Sequence, residues 1–186
     1  RSALMLKYVI VICFLNFITA ANADYKEKII NKLKNTHNIN FDFEQNINGK
    51  IETGNCIIEY PKKIFCEYDK ANNKVLVSNG KSLVIKTISS YYRYPIQRTP
   101  LDLILDKKFL INKISNLDER IIDKYYINYQ ILENDNEISI FFDNQTFNLV
   151  GWQTKDIYQN LSITFISSVK TNEVIDKKFF KLPSQN

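Results

Sequence analysis

The sequence predicts a mainly β protein, in which an antiparallel sheet is preceded by one helix and interrupted midway by another. Three observations support this fold class. Short segments in which apolar and polar residues alternate recur from residue 39 onward, as expected of half-buried strands. Short turns separate them, whereas parallel crossovers require a dozen or more residues. Only residues 25–34 and 100–110 show helical spacing of their apolar residues.

The N-terminal region has the anatomy of a secretory signal peptide. Basic residues precede an apolar run at residues 8–18, and Ala21 and Ala23 supply the small residues of a cleavage site. The alternative is a membrane anchor. An eleven-residue helix rises only about 16 Å, however, whereas a bilayer core is roughly 30 Å thick. We therefore expect residues 1–23 to be a signal peptide that is cleaved after export, leaving a single domain over residues 24–186.

The helix over residues 25–34 is amphipathic, with isoleucines and a leucine on one side and mostly lysines on the others. A strand over residues 39–45 follows it. Next comes a hairpin with strands over residues 55–58 and 64–68, in which Cys56 faces Cys66. Opposed residues have Cβ atoms about 4.5–5.5 Å apart, and disulfides persist after export. We expect a disulfide here, and the alternative is two packed thiols.

A second hairpin is predicted around Asn79-Gly80, a sequence typical of two-residue turns, with strands over residues 75–77 and 82–85. A helix over residues 100–110 comes next, with a proline suited to its first turn. The remaining predicted strands cover residues 125–132, 137–142, 146–154, 161–169 and 178–182.

Composition argues against several classes of function. The formal net charge is +5 for the whole chain and +3 for residues 24–186. Positive and negative residues are interspersed along the chain, and this pattern does not indicate nucleic-acid binding. The two cysteines that remain cannot form a four-ligand zinc site, and the glycines form no phosphate loop. The only histidine, His37, lies in a polar stretch typical of a solvated loop. We therefore expect no enzyme, no cofactor and no metal.

Acidic pairs are the remaining catalytic candidates. Asp102 and Asp106 are one helical turn apart, and Asp118 adjoins Glu119. A glycosidase-like carboxylate pair would need such residues. Such acidic residues are ordinarily solvated charges on a helix, and we expect these four to be of that kind.

Five motifs occur in order along the chain behind the signal peptide. They are FDFEQ at residues 41–45, VLVSNGKSLVI at 75–85, TPLDLIL at 99–105, L-x-x-W-x-x-x-D at 149–156 and IDKKFFKLP at 175–183. Each is weak alone. Together they resemble the LolA family, the periplasmic carriers of outer-membrane lipoproteins.

The resemblance implies an open, incomplete antiparallel β-barrel, with helices forming a lid over its concave apolar face. The sequence agrees, because a single curved sheet cannot cover its own apolar face and only the two predicted helices are available as covers. Either these residues line a ligand cavity or they fill a dry core. The candidate lipid-binding residues are Ile30, Leu33, Phe41, Phe43, Ile58, Ile64, Leu83, Ile85, Leu101, Ile104, Leu105, Ile140 and Phe142.

The resemblance also implies a function: a monomeric, non-enzymatic carrier that moves lipoproteins by their acyl chains from the inner to the outer membrane. Its partners would be acylated lipoproteins, an inner-membrane ABC-type lipoprotein-releasing transporter and, where one exists, an outer-membrane lipoprotein receptor. The alternative is a periplasmic lipid- or lipoprotein-sensing or regulatory module of the same fold. A secreted hydrolase ranks third. The family often has an arginine directly before the hairpin proline, where this chain has Tyr60, so its lid must be latched by other groups.

Overall fold

The computed structural model describes residues 20–70, 72–155 and 159–185. Its helices are α1 (Ala20–Asn35), α2 (Leu101–Ile104) and α3 (Lys107–Asn116), and short 3-10 helices span Ile96–Arg98 and Lys177–Phe180. Most of the predicted signal peptide lies outside the described residues, and the predicted cleavage site falls in the first turn of α1.

Within the described residues, eleven strands form one sheet, which confirms the mainly β fold class. They are β1 (Asn38–Ile47), β2 (Lys50–Glu59), β3 (Lys63–Tyr68), β4 (Val75–Asn79), β5 (Ser82–Lys86), β6 (Tyr91–Pro95), β7 (Arg120–Ile122), β8 (Tyr126–Glu133), β9 (Asn136–Asp143), β10 (Leu149–Lys155) and β11 (Leu161–Thr171).

The sheet is antiparallel and does not close. Its order is β6-β5-β4-β3-β2-β1-β11-β10-β9-β8-β7, so β6 and β7 are the two edges. These edge strands are consecutive in the chain, and the segment between them contains α2 and α3. The chain therefore leaves the sheet at one edge, passes through both helices and re-enters at the other edge.

The core lies between the helices and one face of the sheet, which we call the inner face. Ile29 and Leu33 of α1 and Leu110 and Ile114 of α3 are buried there, in one cluster with strand residues such as Ile140. Residues two apart along a strand share a face, and this alternation explains the core of β8 and β9.

The predicted single helix over residues 100–110 is wrong. It is broken at Leu105 and Asp106, and the second part continues to Asn116. Asp106 has an extended backbone, and its side chain accepts a hydrogen bond from the Phe109 backbone nitrogen at 3.1 Å. Aspartate is a favoured N-cap residue because it satisfies such a free donor. The residue predicted to lie inside one helix therefore starts another.

The predicted strand over residues 178–182 is also wrong. The 3-10 helix Lys177–Phe180 occupies this position, and Asp176 accepts a hydrogen bond from the Lys178 backbone nitrogen at 2.9 Å. The segment, which with its flanks we call the C-terminal strap (residues 173–185), packs on the outer face of the sheet. There the rings of Phe65 and Phe179 have centroids 5.0 Å apart.

Candidate functional site

A cavity of about 120 Å³ lies on the inner face, beneath the start of α2. We call it the inner cavity. Pro100 and Leu101 cover it, and its walls come from six strands, β1 to β4, β10 and β11. Its apolar lining consists of Phe43, Cys56, Ile64, Cys66, Leu76 and Trp152. The site is therefore a small apolar space between the middle of the sheet and the segment that spans the sheet opening.

The apolar wall of the inner cavity includes a disulfide. Cys56 and Cys66 are directly opposed in the register of β2 and β3, and a disulfide joins them. Both residues are buried. The disulfide fixes the β2–β3 hairpin where it lines the cavity together with Leu101 of α2. We call the segment that contains α2 and the break after it, residues 100–106, the lid.

One wall of the inner cavity is polar. The Gln45 amide nitrogen donates hydrogen bonds to Ser162 Oγ at 3.2 Å and to Thr164 Oγ1 at 3.1 Å, and Thr154 completes this wall. Gln45 has the same strand parity as Phe41 and Phe43, so strand parity would have placed it on the inner face. Sequence reasoning missed it because only apolar residues were considered.

The predicted lipid-binding residues share the inner side of the molecule, but few of them line the inner cavity. Only Phe43, Ile64 and Leu101 do so. Ile30 is partly buried and lines an open groove between α1 and α3. Eight others are buried in the core cluster around the cavity: Leu33, Phe41, Ile58, Leu83, Ile104, Leu105, Ile140 and Phe142. Contact of these residues with lipid stays a prediction.

Ile85 lies elsewhere. It is half-buried on the inner face, in a second groove of about 510 Å³ between the β1–β2 turn and β6. We call this space the outer groove to distinguish it from the inner cavity, although it too lies on the inner face of the sheet. Tyr68 lines both the outer groove and the inner cavity, so the two spaces adjoin at this side chain.

Lys62, in the β2–β3 loop, connects this loop to the lid. Its backbone nitrogen donates to the Leu105 carbonyl oxygen at 2.9 Å. Its ammonium lies 2.8 Å from Asp102 Oδ1 and 3.7 Å from Asp106 Oδ2. The hydrogen bond to Asp102 and the two negative charges hold the pKa of Lys62 above its usual value, against the effect of partial burial. Asp102 and Asp106, which we expected to be solvated helix charges, are instead ion-paired with Lys62 and attach the lid to the β2–β3 loop.

Tyr60 stands where the family often has an arginine. Its hydroxyl does not connect the β2–β3 loop to the lid. That hydroxyl is buried and has no hydrogen-bond partner among the described residues. Burial raises the pKa of Tyr60 well above its usual value. Tyr60 instead packs against the core, and its backbone nitrogen donates to the His37 carbonyl oxygen at 3.0 Å.

The other chemical candidates do not assemble into a site. His37 is exposed, and its backbone nitrogen donates to Asn172 Oδ1 at 2.7 Å. Within residues 20–70, 72–155 and 159–185, no three His, Cys, Asp or Glu side chains are placed to hold a metal ion. In the same ranges no helix has the length and apolarity needed to span a membrane.

Comparison with solved structures supports the fold. An uncharacterised conserved protein from Thermus thermophilus aligns over 88% of this chain and 95% of its own, with 6% identity and a TM-score of 0.51. MucB aligns over 90% of this chain and 65% of its own, with 9% identity and a TM-score of 0.50. A LolA superfamily protein from Nitrosomonas europaea aligns over 86% of this chain and 97% of its own, with 9% identity and a TM-score of 0.44. At these identities the first two likenesses concern the fold alone, and the third carries no argument.

Sequence comparison identifies the family. No curated protein sequence matches significantly. The family model of the outer membrane lipoprotein carrier protein LolA matches residues 26–183, which is nearly the whole described region. The resemblance of the five motifs is therefore confirmed, and the chain belongs to the LolA family.

Proposed function

We propose that this protein is a periplasmic carrier that binds the acyl chains of lipoproteins and moves them from the inner to the outer membrane. The observation that supports this most directly is the inner cavity under α2, in a chain whose family model describes lipoprotein carriers. An apolar space beneath a short, separately attached segment is what a reversible acyl-chain site requires.

The size of the inner cavity implies that the lid must move. Ligand pockets typically measure about 300–1,000 Å³, whereas this cavity measures about 120 Å³. Loading an acyl chain therefore needs displacement of α2, which has only four residues and is separated from α3 by the break at Leu105 and Asp106. The structure corresponds to a lid-closed form in the proposed cycle.

Energetics explain why such a carrier works with partners. Burial of one CH₂ group out of water contributes about 0.8 kcal/mol, so a sixteen-carbon chain contributes roughly 12 kcal/mol. In a bilayer, however, the chain is already out of water, so transfer into the cavity is close to neutral. The proposed carrier would therefore be loaded by an energised ABC-type transporter of the inner membrane and unloaded to a better acceptor, such as an outer-membrane receptor.

Binding of a lipopeptide tests the first half of this proposal. The purified protein is mixed with a triacylated lipopeptide and, separately, with the same peptide without acyl chains, and each mixture is run through gel filtration without detergent. We expect the acylated peptide to co-elute with the protein and the bare peptide to elute alone. Equal behaviour of the two peptides would contradict acyl-chain binding.

Depletion in the host separates carriage from the alternative sensing or regulatory role. We expect lipoproteins to accumulate at the inner membrane when this protein is removed. Normal outer-membrane lipoprotein levels in a host without a second carrier, combined with intact lipopeptide binding in vitro, would instead favour the sensing module.

A further inference from the structure

The outer groove combines an apolar floor with a cationic rim. Ile85 and Tyr92 form the floor, and Tyr92 is 53% exposed. Lys50, Lys70 and Lys74 lie around it together with one acid, Glu52, so these lining residues carry a net charge of +2. Its volume of about 510 Å³ is within the range of small-molecule sites.

The geometry of the lysines leaves donors available for a ligand. Lys50 Nζ lies 2.9 Å from Glu52 Oε1, and Lys74 Nζ lies 2.6 Å from Glu52 Oε2, so two ammonium groups share one carboxylate. Each ammonium has three donors, and the carboxylate engages one from each. The Lys50 side chain is 76% exposed. The Lys74 side chain is less accessible, at 19% exposed. A second anion in the groove can therefore pair with Lys50 and approach the exposed part of Lys74.

Tyr68 links this rim to the inner cavity. Its ring lies edge-on to Phe43, with centroids 5.0 Å apart, on the cavity side. On the groove side Lys74 Nζ lies 4.0 Å from the centroid of the same ring. One side chain thus separates an apolar space from a cationic one.

We propose that the outer groove binds the anionic head group of an amphiphile whose acyl chain enters the inner cavity past Tyr68. Phosphate or carboxylate oxygens would pair with Lys50 and approach Lys74, and the first carbons of the chain would lie on Ile85 and Tyr92. This inference rests on the proposed acyl-chain site, and it adds a preference for negatively charged lipids. A free inorganic anion would leave the apolar floor unused.

Two single-chain lipids with the same acyl chain test the inference: lysophosphatidylglycerol, which is anionic, and lysophosphatidylcholine, which is zwitterionic. The chain contains one tryptophan, Trp152, and it lines the inner cavity, so its fluorescence reports acyl-chain entry for both lipids. Titrations are performed below the critical micelle concentration at low salt. We expect lysophosphatidylglycerol to bind about tenfold more tightly, because its net negative charge pairs with exposed Lys50 and with the less exposed Lys74.

Three variants make the test specific. The double variant Lys50→Gln/Lys74→Gln should reduce the preference to nearly onefold. It should weaken lysophosphatidylglycerol binding much more than lysophosphatidylcholine binding, because the choline cation of the latter offsets its phosphate charge. Glu52→Gln, which removes the competing carboxylate, should increase the preference. Lys155→Gln is the matched control, because it removes an exposed lysine paired with Glu137 away from the groove, and it should leave the preference unchanged.

The outcomes are separable. Equal affinity of the wild type for the two lipids, or an unchanged preference in the double variant, would overturn the head-group inference while leaving the acyl-chain site intact. A lack of any Trp152 response to either lipid would instead contradict the proposed function on which the inference rests.

Discussion

The ammonium of Lys62 lies 2.8 Å from Asp102 Oδ1, which places an ion pair between the β2–β3 loop and the lid. The side chains are 26% and 16% exposed, so water screens the pair only in part. Together with the hydrogen bond from the Lys62 backbone nitrogen to the Leu105 carbonyl oxygen, the pair attaches the lid both before its break and at the break. This attachment suggests how lid opening can be controlled.

Lys62→Gln should ease lid opening without unfolding the protein. Loss of this partly buried ion pair should cost about 1 kcal/mol, the upper end of the range for exposed pairs, while the backbone hydrogen bond of residue 62 is kept. We expect faster amide hydrogen exchange in α2 and faster binding of the lipopeptide. Lys155→Gln removes an ion pair on the other half of the sheet and serves as the control. Unchanged exchange in α2 would show that Lys62 does not hold the lid.

Leu101 and Leu105 should behave differently when shortened, although both belong to the predicted lipid-binding set. Leu105 is fully buried in the core, whereas Leu101 is half-buried and lines the inner cavity. Leu105→Ala should therefore cost about 2–5 kcal/mol of unfolding free energy. Leu101→Ala should cost much less and weaken lipopeptide binding. Denaturant unfolding and gel filtration measure both effects, and equal destabilisation by the two variants would contradict a cavity under Leu101.

The disulfide should stabilise the hairpin that carries the cavity wall. Replacing both Cys56 and Cys66 by alanine should lower the unfolding free energy by about 2–3 kcal/mol, because the cross-linked loop is short. Non-reducing peptide mapping should recover the two cysteines in one linked peptide pair. Quantitative alkylation of both thiols in the folded, unreduced protein would show that the disulfide is absent.

Acid should loosen the C-terminal strap. Partial burial opposes ionisation of Glu59, but hydrogen bonds from Lys177 of the strap and from Lys63 outweigh it and hold the pKa of Glu59 below its usual 4.5. Stability from a lowered pKa is present above about pH 4.5 and is lost as the pH falls through the lower folded value. We therefore expect the protection factors of the strap amides, which are corrected for the slower intrinsic exchange in acid, to fall below that range.

Glu59→Gln is the control for the acid effect. This variant should show fast exchange in the strap already at neutral pH, with a smaller further change on acidification. Glu52 has a lowered pKa through Lys74 and Lys50, against desolvation, but it lies in the outer groove and not near the strap. Glu52→Gln should therefore leave strap exchange unchanged, and an equal effect of the two variants would argue against a local origin.

Much of the fold could be predicted from local patterns. The hairpin around Asn79-Gly80 and the pairing of Cys56 with Cys66 depend on turn chemistry and strand parity, and both occur in the structure. The preference of aspartate for N-cap positions could have indicated the break at Asp106. One continuous helix, however, accounts equally well for the spacing of the apolar residues. Such a choice depends on tertiary contacts such as that with Lys62.

Other features gave weak or misleading local signals. Strand β6 was missed because four of its five residues are exposed, so it shows no alternation of burial. Phe179 and Phe180 resembled strand residues, yet they form a helical turn whose partners lie on distant strands. The polar wall built by Gln45 and Thr164 is defined only once β1 and β11 are paired. Register between strands far apart in sequence is not encoded in any short segment.

The unclosed sheet gives the protein two strand edges whose free backbone groups can recruit strands from other molecules. At one edge β6 ends in Pro95 and exposes Arg93, and at the other β7 has only three residues. Prolines, charges and short length all disfavour intermolecular pairing. The gap between β6 and β7, where the lid lies, would otherwise leave two strand edges that promote aggregation. The sequences of β6 and β7 therefore protect the protein against self-association in a crowded compartment.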